Sequence, residues 1–303
     1  MTIIAKVAAT AATGLTLVSL TAASAQTTGG PAVKLVAQLS GQNTVLDASP
    51  DPTGKVIYFT SKGARGAALF AVPADGSKAE VVVSSASLRE PTGLAVSNDA
   101  KRVFVADRRA GHILVVRVRD GASHVLAGTR GTAPRGLEIQ TRAGKELVVF
   151  TGQARDGSPA VLRIAAAGAA RPSIVLKGAP LRKPDGVAIS RTGAIFVTDH
   201  GAGGRVLRIA GTKVTTVAGA IRLGDPAGIA LTLDESHLLI SSLNKAKGTA
   251  QVVIVDMATG ARSTFDDVIG ANHSAGGLHR ARAAVPMGWA DVSRSGRVYR
   301  VDP

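Results

Sequence analysis

A short phrase of proline, glycine and apolar residues recurs along this sequence, and its spacing restricts the folds open to the chain. Four copies begin with proline and place glycine two residues later, at 91–96, 134–139, 184–189 and 226–231. A degenerate copy lies at 275–278, and residues 42–47, which lack both proline and glycine, form the expected first copy. The glycine-equivalent positions are then 44, 93, 136, 186, 228 and 277. The number of residues from each of these positions to the next is typical of one blade of a β-propeller.

Each unit contains the same succession of short apolar segments. In the second unit, the phrase is followed by a polar turn, a β-branched and aromatic run at 103–105, a longer run at 112–118 and a short one at 123–126. Proline suits the start of a strand, where its missing N–H costs least, and short evenly spaced strands with glycine-rich turns favour closed all-β folds. The sequence therefore predicts an all-β fold, a six-bladed β-propeller of four-stranded blades.

The two ends of the chain complement each other. The last unit contains three apolar segments and no fourth, whereas a spare apolar segment at 33–37 precedes the first unit. Pairing the spare strand with the last unit would close the ring and remove two exposed sheet edges. We therefore expect the N-terminal strand to complete the last blade.

The first 25 residues have the layout of a secretory signal peptide. Lys6 precedes an apolar stretch at 7–20, and Ala23-Ser24-Ala25 supplies the small residues that signal peptidase requires. The stretch is too short for a membrane span. The sequence thus predicts a signal peptide at 1–25 with cleavage after Ala25, one propeller domain at 26–303, a periplasmic or secreted location, and no transmembrane segment in the mature chain.

The charge of the chain indicates the kind of partner to expect. Lys and Arg number 36 against 21 Asp and Glu, a formal net charge of +15, which falls to +14 when Lys6 is lost with the leader. This favours a small anionic ligand, an anionic envelope polymer or an acidic protein. Nucleic acid is not the expected partner, because aromatic residues make up only 3% and do not alternate with basic ones. The chain has no cysteine, which excludes disulfides, thiolate metal sites and a cysteine nucleophile.

The repeated phrase, followed by a strand ending in Val-Ala-Asp107 or Val-Thr-Asp199, resembles the NHL-repeat propellers. It is also similar to the six-bladed propellers of the gluconolactonase and regucalcin type. The resemblance covers nearly all of the chain after residue 25 and implies the same fold. It implies little about activity, because one fold hosts many functions.

Gluconolactonase-like propellers hold one divalent metal at the channel mouth, through a Glu, two Asn and an Asp at the starts of four successive blades. Carried over by position, the resemblance places these ligands at Gln42 (or Asn43), Thr92, Arg135 and Asp185. Asp185 matches, but Gln42 lacks the charge of Glu, Thr92 replaces Asn, and Arg135 stays protonated and cannot bind a cation. We therefore expect no cofactor; the alternative is one divalent cation, such as Ca²⁺ or Zn²⁺, on Asp185.

If the units align as proposed, Arg135 and Asp185 occupy neighbouring inner positions and can form an ion pair where the relatives place a metal. Two interpretations of this pair stay open. It can be a structural pair that lines the channel, or Arg135 can bind an anionic group of a ligand, with Lys183 and Arg182 nearby.

Three aspartates and one histidine complete the candidates. Asp107, Asp199 and Asp291 each end the second strand of a unit, where a carboxylate usually caps a turn by accepting backbone hydrogen bonds. His200 follows Asp199, and it can serve as an acid or base or remain an exposed loop residue.

Two functions remain. The first is an exported ligand- or partner-binding module that holds an anionic ligand at one rim or at the channel mouth. The second is a gluconolactonase-like, metal-dependent lactone or ester hydrolase in which Asp185 is the catalytic and metal-binding residue. The candidate ligand-binding residues are Arg135, Thr92, Gln42, Asn43, Lys183 and His200.

Overall fold

The computed structural model describes residues 31–39, 43–64, 66–85, 88–244, 246–265, 274–294 and 296–303. The predicted signal peptide and Gln42 lie outside the described residues. Within these ranges, 24 strands form six antiparallel sheets of four strands each. The six-bladed propeller predicted from the repeat is therefore confirmed. These ranges contain no helix that is long and apolar enough to cross a membrane.

Blades 1 to 3 follow one another along the chain. Blade 1 comprises β2 (Thr44–Pro50), β3 (Val56–Gly63), β4 (Gly66–Pro73) and β5 (Glu80–Ser84). Blade 2 comprises β6 (Pro91–Val96), β7 (Arg102–Asp107), β8 (His112–Arg117) and β9 (Ser123–Val125). Blade 3 comprises β10 (Leu137–Arg142), β11 (Lys145–Gln153), β12 (Pro159–Ala165) and β13 (Ser173–Lys177). In each blade the first strand is the inner one, at the channel.

Blades 4 to 6 complete the ring. Blade 4 comprises β14 (Pro184–Ile189), β15 (Ile195–Asp199), β16 (Arg205–Ala210) and β17 (Lys213–Gly219), with a short 3-10 turn at Gly201–Gly203. Blade 5 comprises β18 (Ile229–Leu231), β19 (His237–Asn244), β20 (Thr249–Asp256) and β21 (Arg262–Phe265). Blade 6 comprises β22 (Ala275–Arg280), β23 (Met287–Asp291), β24 (Arg297–Asp302) and the N-terminal strand β1 (Ala32–Gln38).

The ring closes as the complementary ends predicted. Strand β1 pairs antiparallel with β24, with Val33 opposite Val301 and Leu35 opposite Tyr299. The buried side chains form six clusters, one between each pair of neighbouring blades. One cluster joins Val36 of β1 to Phe59 of blade 1, so blade 6 packs on blade 1 like any other pair. Burial of these branched side chains, each worth about 1.5–3 kcal/mol, holds the blades together.

Glycine at the start of the inner strands lets the blades approach each other closely. A Cβ atom at Gly93 would lie 1.9 Å from the carbonyl oxygen of Arg135, and one at Gly186 would lie 2.0 Å from that of Ala227. Both contacts are far below van der Waals distance. The same steric conflict with the next blade arises at Gly136 and Gly228.

The register of blade 1 differs from the sequence prediction. Pairing of β2 with β3 is irregular between Val45 and Asp47, as pairing of β6 with β7 is between Pro91 and Gly93. The glycine-equivalent residue of blade 1 is therefore Asp47 and not Thr44, three residues later than the phrase suggested. Leu46 becomes the counterpart of Thr92, so the placement of Gln42 or Asn43 at this position is wrong.

Arg282 reaches across the ring at the end where the inner strands finish, away from the prolines of the phrase. It lies in the loop between β22 and β23 of blade 6, and its Nη2 donates to the carbonyl oxygen of Val96, at 2.5 Å. Its Nε lies 2.9 Å from Oδ1 of Asn98, and its Nη1 lies 3.6 Å from a Glu138 carboxylate oxygen in blade 3. Blades 3 and 6 face each other across the ring, and Arg282 and Glu138 both line a cavity of about 30 Å³ at this end.

Candidate functional site

An irregularity in the inner strand places a polar side chain at the channel mouth in blades 2 and 4. In blade 4, the pairing of β14 with β15 shifts between Pro184 and Val187, as it does around Thr92 in blade 2. Such bulges redirect a side chain out of the regular alternation of a strand. The residue redirected in blade 4 is Asp185, whose side chain is completely buried.

The predicted pair of Arg135 and Asp185 is confirmed as a contact. Nη1 of Arg135 lies 3.2 Å from Oδ2 of Asp185, and the Arg135 side chain is only 12% exposed. Oδ2 of Asp185 also accepts the N–H of Ala227, at 3.3 Å, and lies 3.1 Å from Nε2 of His200. Oδ1 of Asp185 is buried without a hydrogen-bond partner in the described part of the chain. The carboxylate is thus held by blades 3, 4 and 5 through one oxygen.

A second carboxylate, Asp225, contacts the same arginine from the loop that enters blade 5. Its Oδ1 lies 3.3 Å from Nη1 of Arg135, and its Oδ2 lies 3.1 Å from Nζ of Lys183. Burial raises the pKa of Asp225, but the hydrogen bond from Lys183 and the charges of Arg135, Lys183 and His200 more than offset this effect. The pKa of Asp225 therefore lies below its ordinary value, and the group is ionised at neutral pH.

Asp199 positions the backbone beside this pair. It accepts the N–H groups of Arg182 and Lys183 at 3.2 and 2.7 Å, and Arg205 lies 2.8 Å from its Oδ2. Asp107 caps the corresponding segment of blade 2, and Asp291 accepts the N–H groups of two residues near the start and end of its hairpin. The predicted capping role of these three aspartates is confirmed.

A groove of about 310 Å³ opens next to the ion pair, and we call it the mouth groove. Among the residues that the structure describes, its uncharged lining is small or polar, for example Gln153, and includes no aromatic residue. Three of its cations have carboxylate partners, since Arg108 lies 3.1 Å from Glu90 and Arg135 and Lys183 contact Asp225. The charged residues that line it are Arg108, Arg135, Arg182 and Lys183.

Arg182 is the one groove cation whose guanidinium has no acidic partner in the described ranges. Its aliphatic chain lies against Gly201, where a Cβ would come within 2.7 Å of Cβ and Cδ of Arg182. The glycine thus leaves space for the arginine, and Asp199 fixes the arginine backbone. The mouth groove therefore presents one cation that no described side chain neutralises.

The predicted site residues divide into two groups. The structure brings Arg135, Asp185, Lys183 and His200 into one network of contacts. Thr92 is buried, and its hydroxyl has no hydrogen-bond partner in the part of the chain that is described. Asn43 precedes β2 and lies three residues before Leu46, the blade 1 counterpart of Thr92, so the register separates it from that position.

Sequence reasoning missed Asp225. The residue stands immediately before Pro226, just as Lys183 stands immediately before Pro184. Opposite charges that precede the phrase in consecutive units are therefore the signal that could have found this contact.

The residues at the mouth do not fit a divalent cation. A guanidinium already lies 3.2 Å from the one carboxylate that matches the family ligand set, and it would repel a metal ion at that place. The described residues contain no group of three or more His, Asp or Glu side chains that could hold a metal ion.

A larger cavity, of about 450 Å³, lies between the N-terminal and C-terminal prolines, Pro31 and Pro303, and the strands of blade 5. None of the described residues that were predicted to form the site lines it. Its charged and titratable lining residues are Arg262, Asp256 and His237. We therefore take the mouth groove as the candidate site.

Comparison with known proteins supports the fold and leaves the family open. No family model matches the sequence, and no curated protein matches it. A gluconolactonase from Xanthomonas campestris superposes with a TM-score of 0.66 at 16% identity, over 90% of this chain and 90% of that one. A chain of a nidogen/laminin complex gives 0.63 at 16% identity, over 84% and 96% of the two chains. A catalytically inactive variant of virginiamycin B lyase from Staphylococcus aureus, in complex with quinupristin, gives 0.59 at 13% identity, over 89% and 99%. At such low identity the likeness shows the propeller fold alone.

Proposed function

We propose that this chain is an exported propeller that binds an anionic ligand or partner at the channel mouth. The observation that carries the proposal is the mouth groove, in which four cations converge and Arg182 has no acidic partner among the described residues. The stem of Arg182 packs against Gly201, which reduces the entropy that this side chain loses when its guanidinium binds an anion. The absence of aromatic lining suits a small, strongly hydrated ligand better than a base or other stacking group.

The proposal extends to larger partners that carry such groups. An anionic envelope polymer or an acidic protein could present carboxylates or phosphates to the groove, and the net charge of +14 that remains after loss of Lys6 would speed the encounter. A periplasmic or secreted location follows from the predicted signal peptide. Mass measurement of the protein recovered outside the cytoplasm checks this point, and a chain that begins at Gln26 is the expected result.

The test of anion binding changes two residues at the rim of the groove. We expect the double variant Arg182→Gln, Lys183→Gln to lose calorimetric binding of phosphate and succinate that the wild type shows. Arg135 is left intact, because removing one partner of a buried ion pair costs about 3–5 kcal/mol and would confuse binding with unfolding. Lys177→Gln is the control for loss of a paired surface lysine, since Lys177 pairs with Asp156 and does not line the groove. Equal affinities in the wild type and the double variant would disprove the proposal.

A lactone or ester hydrolase centred on Asp185 is the second candidate. It is favoured by the contact between Asp185 and His200 and by the overall similarity to a gluconolactonase. His200 is 20% exposed at the mouth, where it could remove a proton from water while Asp185 orients the imidazole. Hydrolysis of a lactone panel by the wild type and its loss in His200→Gln would support this candidate. Equal rates in both proteins would exclude a role for His200.

A further inference from the structure

The two carboxylates that contact Arg135 differ in how firmly they are held. Asp185 is fully buried, and its Oδ2 has three partners from three blades. The Asp225 side chain is 52% exposed, and each of its oxygens has one partner, a cationic side chain. No described backbone N–H donates to it. Asp185 is therefore part of the framework, whereas Asp225 can leave by a side-chain rotation.

The contacts of Asp225 indicate what the groove accepts. One carboxylate oxygen lies on Nη1 of Arg135 and the other on Nζ of Lys183, so these two cations together bind a planar two-oxygen anion. Both cations line the mouth groove. Asp225 is not among the residues that line the groove, but it holds the two groove cations that the carboxylate of a bound molecule would need.

A second anion position lies in the same groove. Arg182 is the chain neighbour of Lys183, its stem lies on Gly201, and its guanidinium is not paired with any carboxylate that the structure describes. One position is therefore filled from within the protein and the other is available. A molecule with a single negative charge can bind only at Arg182 unless it displaces Asp225.

We infer that the ligand is a small dicarboxylate, which places one carboxylate on Arg182 and displaces Asp225 from Arg135 and Lys183 with the other. This inference rests on the proposed anion-binding function and names the ligand class and the residue that sets it. Asp225 acts as an internal competitor, because a ligand carboxylate must replace the contacts that Asp225 makes with Arg135 and Lys183. Monocarboxylates cannot occupy both positions, so the competitor selects against them.

The experiment compares succinate with butyrate, a monocarboxylate of similar size, by calorimetry on the mature protein. The wild type should bind succinate more tightly than butyrate. Asp225→Asn keeps the size of the side chain and removes its charge, and it should tighten succinate binding by about ten-fold, the effect of losing one competing charged contact. Arg182→Gln should abolish the preference for succinate.

The control separates a local effect from a general change in charge. Asp156→Asn makes the same charge change on the neighbouring loop of blade 3, where Asp156 pairs with Lys177 outside the groove. Its affinity for succinate should stay within about two-fold of the wild type, as expected for an exposed and screened charge. An equal gain in Asp156→Asn and Asp225→Asn would overturn the competitor role.

The remaining outcomes distinguish this inference from the proposed function. If succinate binds the wild type and Asp225→Asn leaves its affinity unchanged, the groove binds anions and the inference is wrong. Equal binding of butyrate and succinate, or binding of phosphate with no binding of succinate, also overturns the dicarboxylate. If neither succinate nor phosphate binds any of the proteins, the proposed function fails together with the inference.

Discussion

The carboxylate of Asp47 links three blades at the place where the ring closes. Oδ2 accepts the N–H of Leu94 in blade 2 at 2.7 Å and lies 3.1 Å from Nε2 of His279 in blade 6. A Cβ at Gly277 would lie 1.5 Å from Oδ1 of Asp47, so the glycine of blade 6 leaves space for this side chain. Both members of the pair are buried. The seam of the ring therefore depends on an ionic contact as well as on apolar packing.

This pair predicts how stability changes with pH. Burial lowers the pKa of His279. The charge of Asp47, the hydrogen bond to Asp47 and the charge of Glu138 raise it by more, so the pKa of His279 lies above its ordinary value. A group whose pKa is raised on folding stabilises the folded state fully at pH values below its pKa in the unfolded chain, which for histidine is near 6.5. This stabilisation is lost as the pH rises through the pKa of the folded state. We expect the free energy of unfolding to fall between about pH 6 and pH 9.

Denaturant titrations at the two pH values measure this change in the wild type and in His279→Gln. The glutamine can still donate to Asp47 but does not titrate, so its unfolding free energy should depend less on pH. An identical pH dependence in the two proteins would show that other groups cause it.

A second prediction at the level of single residues concerns metal ions. Because Nη1 of Arg135 lies against Asp185, we expect Ca²⁺, Mg²⁺, Mn²⁺ and Zn²⁺ to leave the Tm of chelator-treated protein within about 1 °C, as binding to the folded state alone would raise it. Thermal unfolding with increasing metal concentration checks this. A saturable rise that disappears in Asp185→Asn would contradict the prediction and strengthen the hydrolase.

The sequence could predict the contact of Arg135 with Asp185 because both residues occupy the same place in consecutive phrases. The opposite charges before the prolines of consecutive phrases point to the contact of Asp225 with Lys183, but the sequence could not predict that Asp225 also shares the arginine, since this depends on how its loop folds toward blade 3. The role of Gly201 was also hidden, because the space it leaves for Arg182 depends on how two loops of blade 4 fold against each other.

At the scale of the strand, the spacing of glycines predicted the number of blades correctly. It predicted the register of the inner strand wrongly in one blade, blade 1. Pro-x-Gly marks an inner strand because the next blade comes too close for a Cβ atom. Blade 1 lacks this mark because Asp47 occupies the glycine position and directs its side chain toward Gly277. With neither proline nor glycine to fix the register, hydrophobic pattern alone placed the phrase three residues too early.

The close approach of the blades predicts a sharp contrast between two glycines of blade 4. Gly186→Ala on β14 should lower the free energy of unfolding by about 2–4 kcal/mol, because its Cβ would lie 2.0 Å from the carbonyl oxygen of Ala227. Gly219→Ala on β17 meets no atom within 4 Å and should change it by less than about 0.5 kcal/mol. Urea unfolding of both variants measures the difference. Equal losses would mean that the blades can shift apart to accept a side chain.

At the scale of the whole molecule, closure by β1 makes the two ends of the chain interdependent. Val33 and Val36 are buried in the clusters that join blade 6 to its two neighbours. Loss of a few such side chains removes several kcal/mol, which is comparable with the total stability of a domain. The sequence predicted this closure because a spare strand and a missing strand can be counted without any knowledge of packing.

We therefore expect a chain that begins at Asn43 to lose cooperative unfolding, whereas a chain that begins at Gln26 should keep the Tm of the full protein within about 2 °C. Differential scanning calorimetry of the two truncated chains tests this. A cooperative transition in the shorter chain would show that three strands suffice for blade 6.

Arg282 ties separate blades together at the end of the ring away from Arg135. Its guanidinium, carried by blade 6, contacts Val96 and Asn98 of blade 2 and Glu138 of blade 3. A movement of blade 6 away from these two blades would therefore break polar contacts at that end. The mouth at Arg135 is held by different residues, so the two ends of the ring can be loosened independently by substitution.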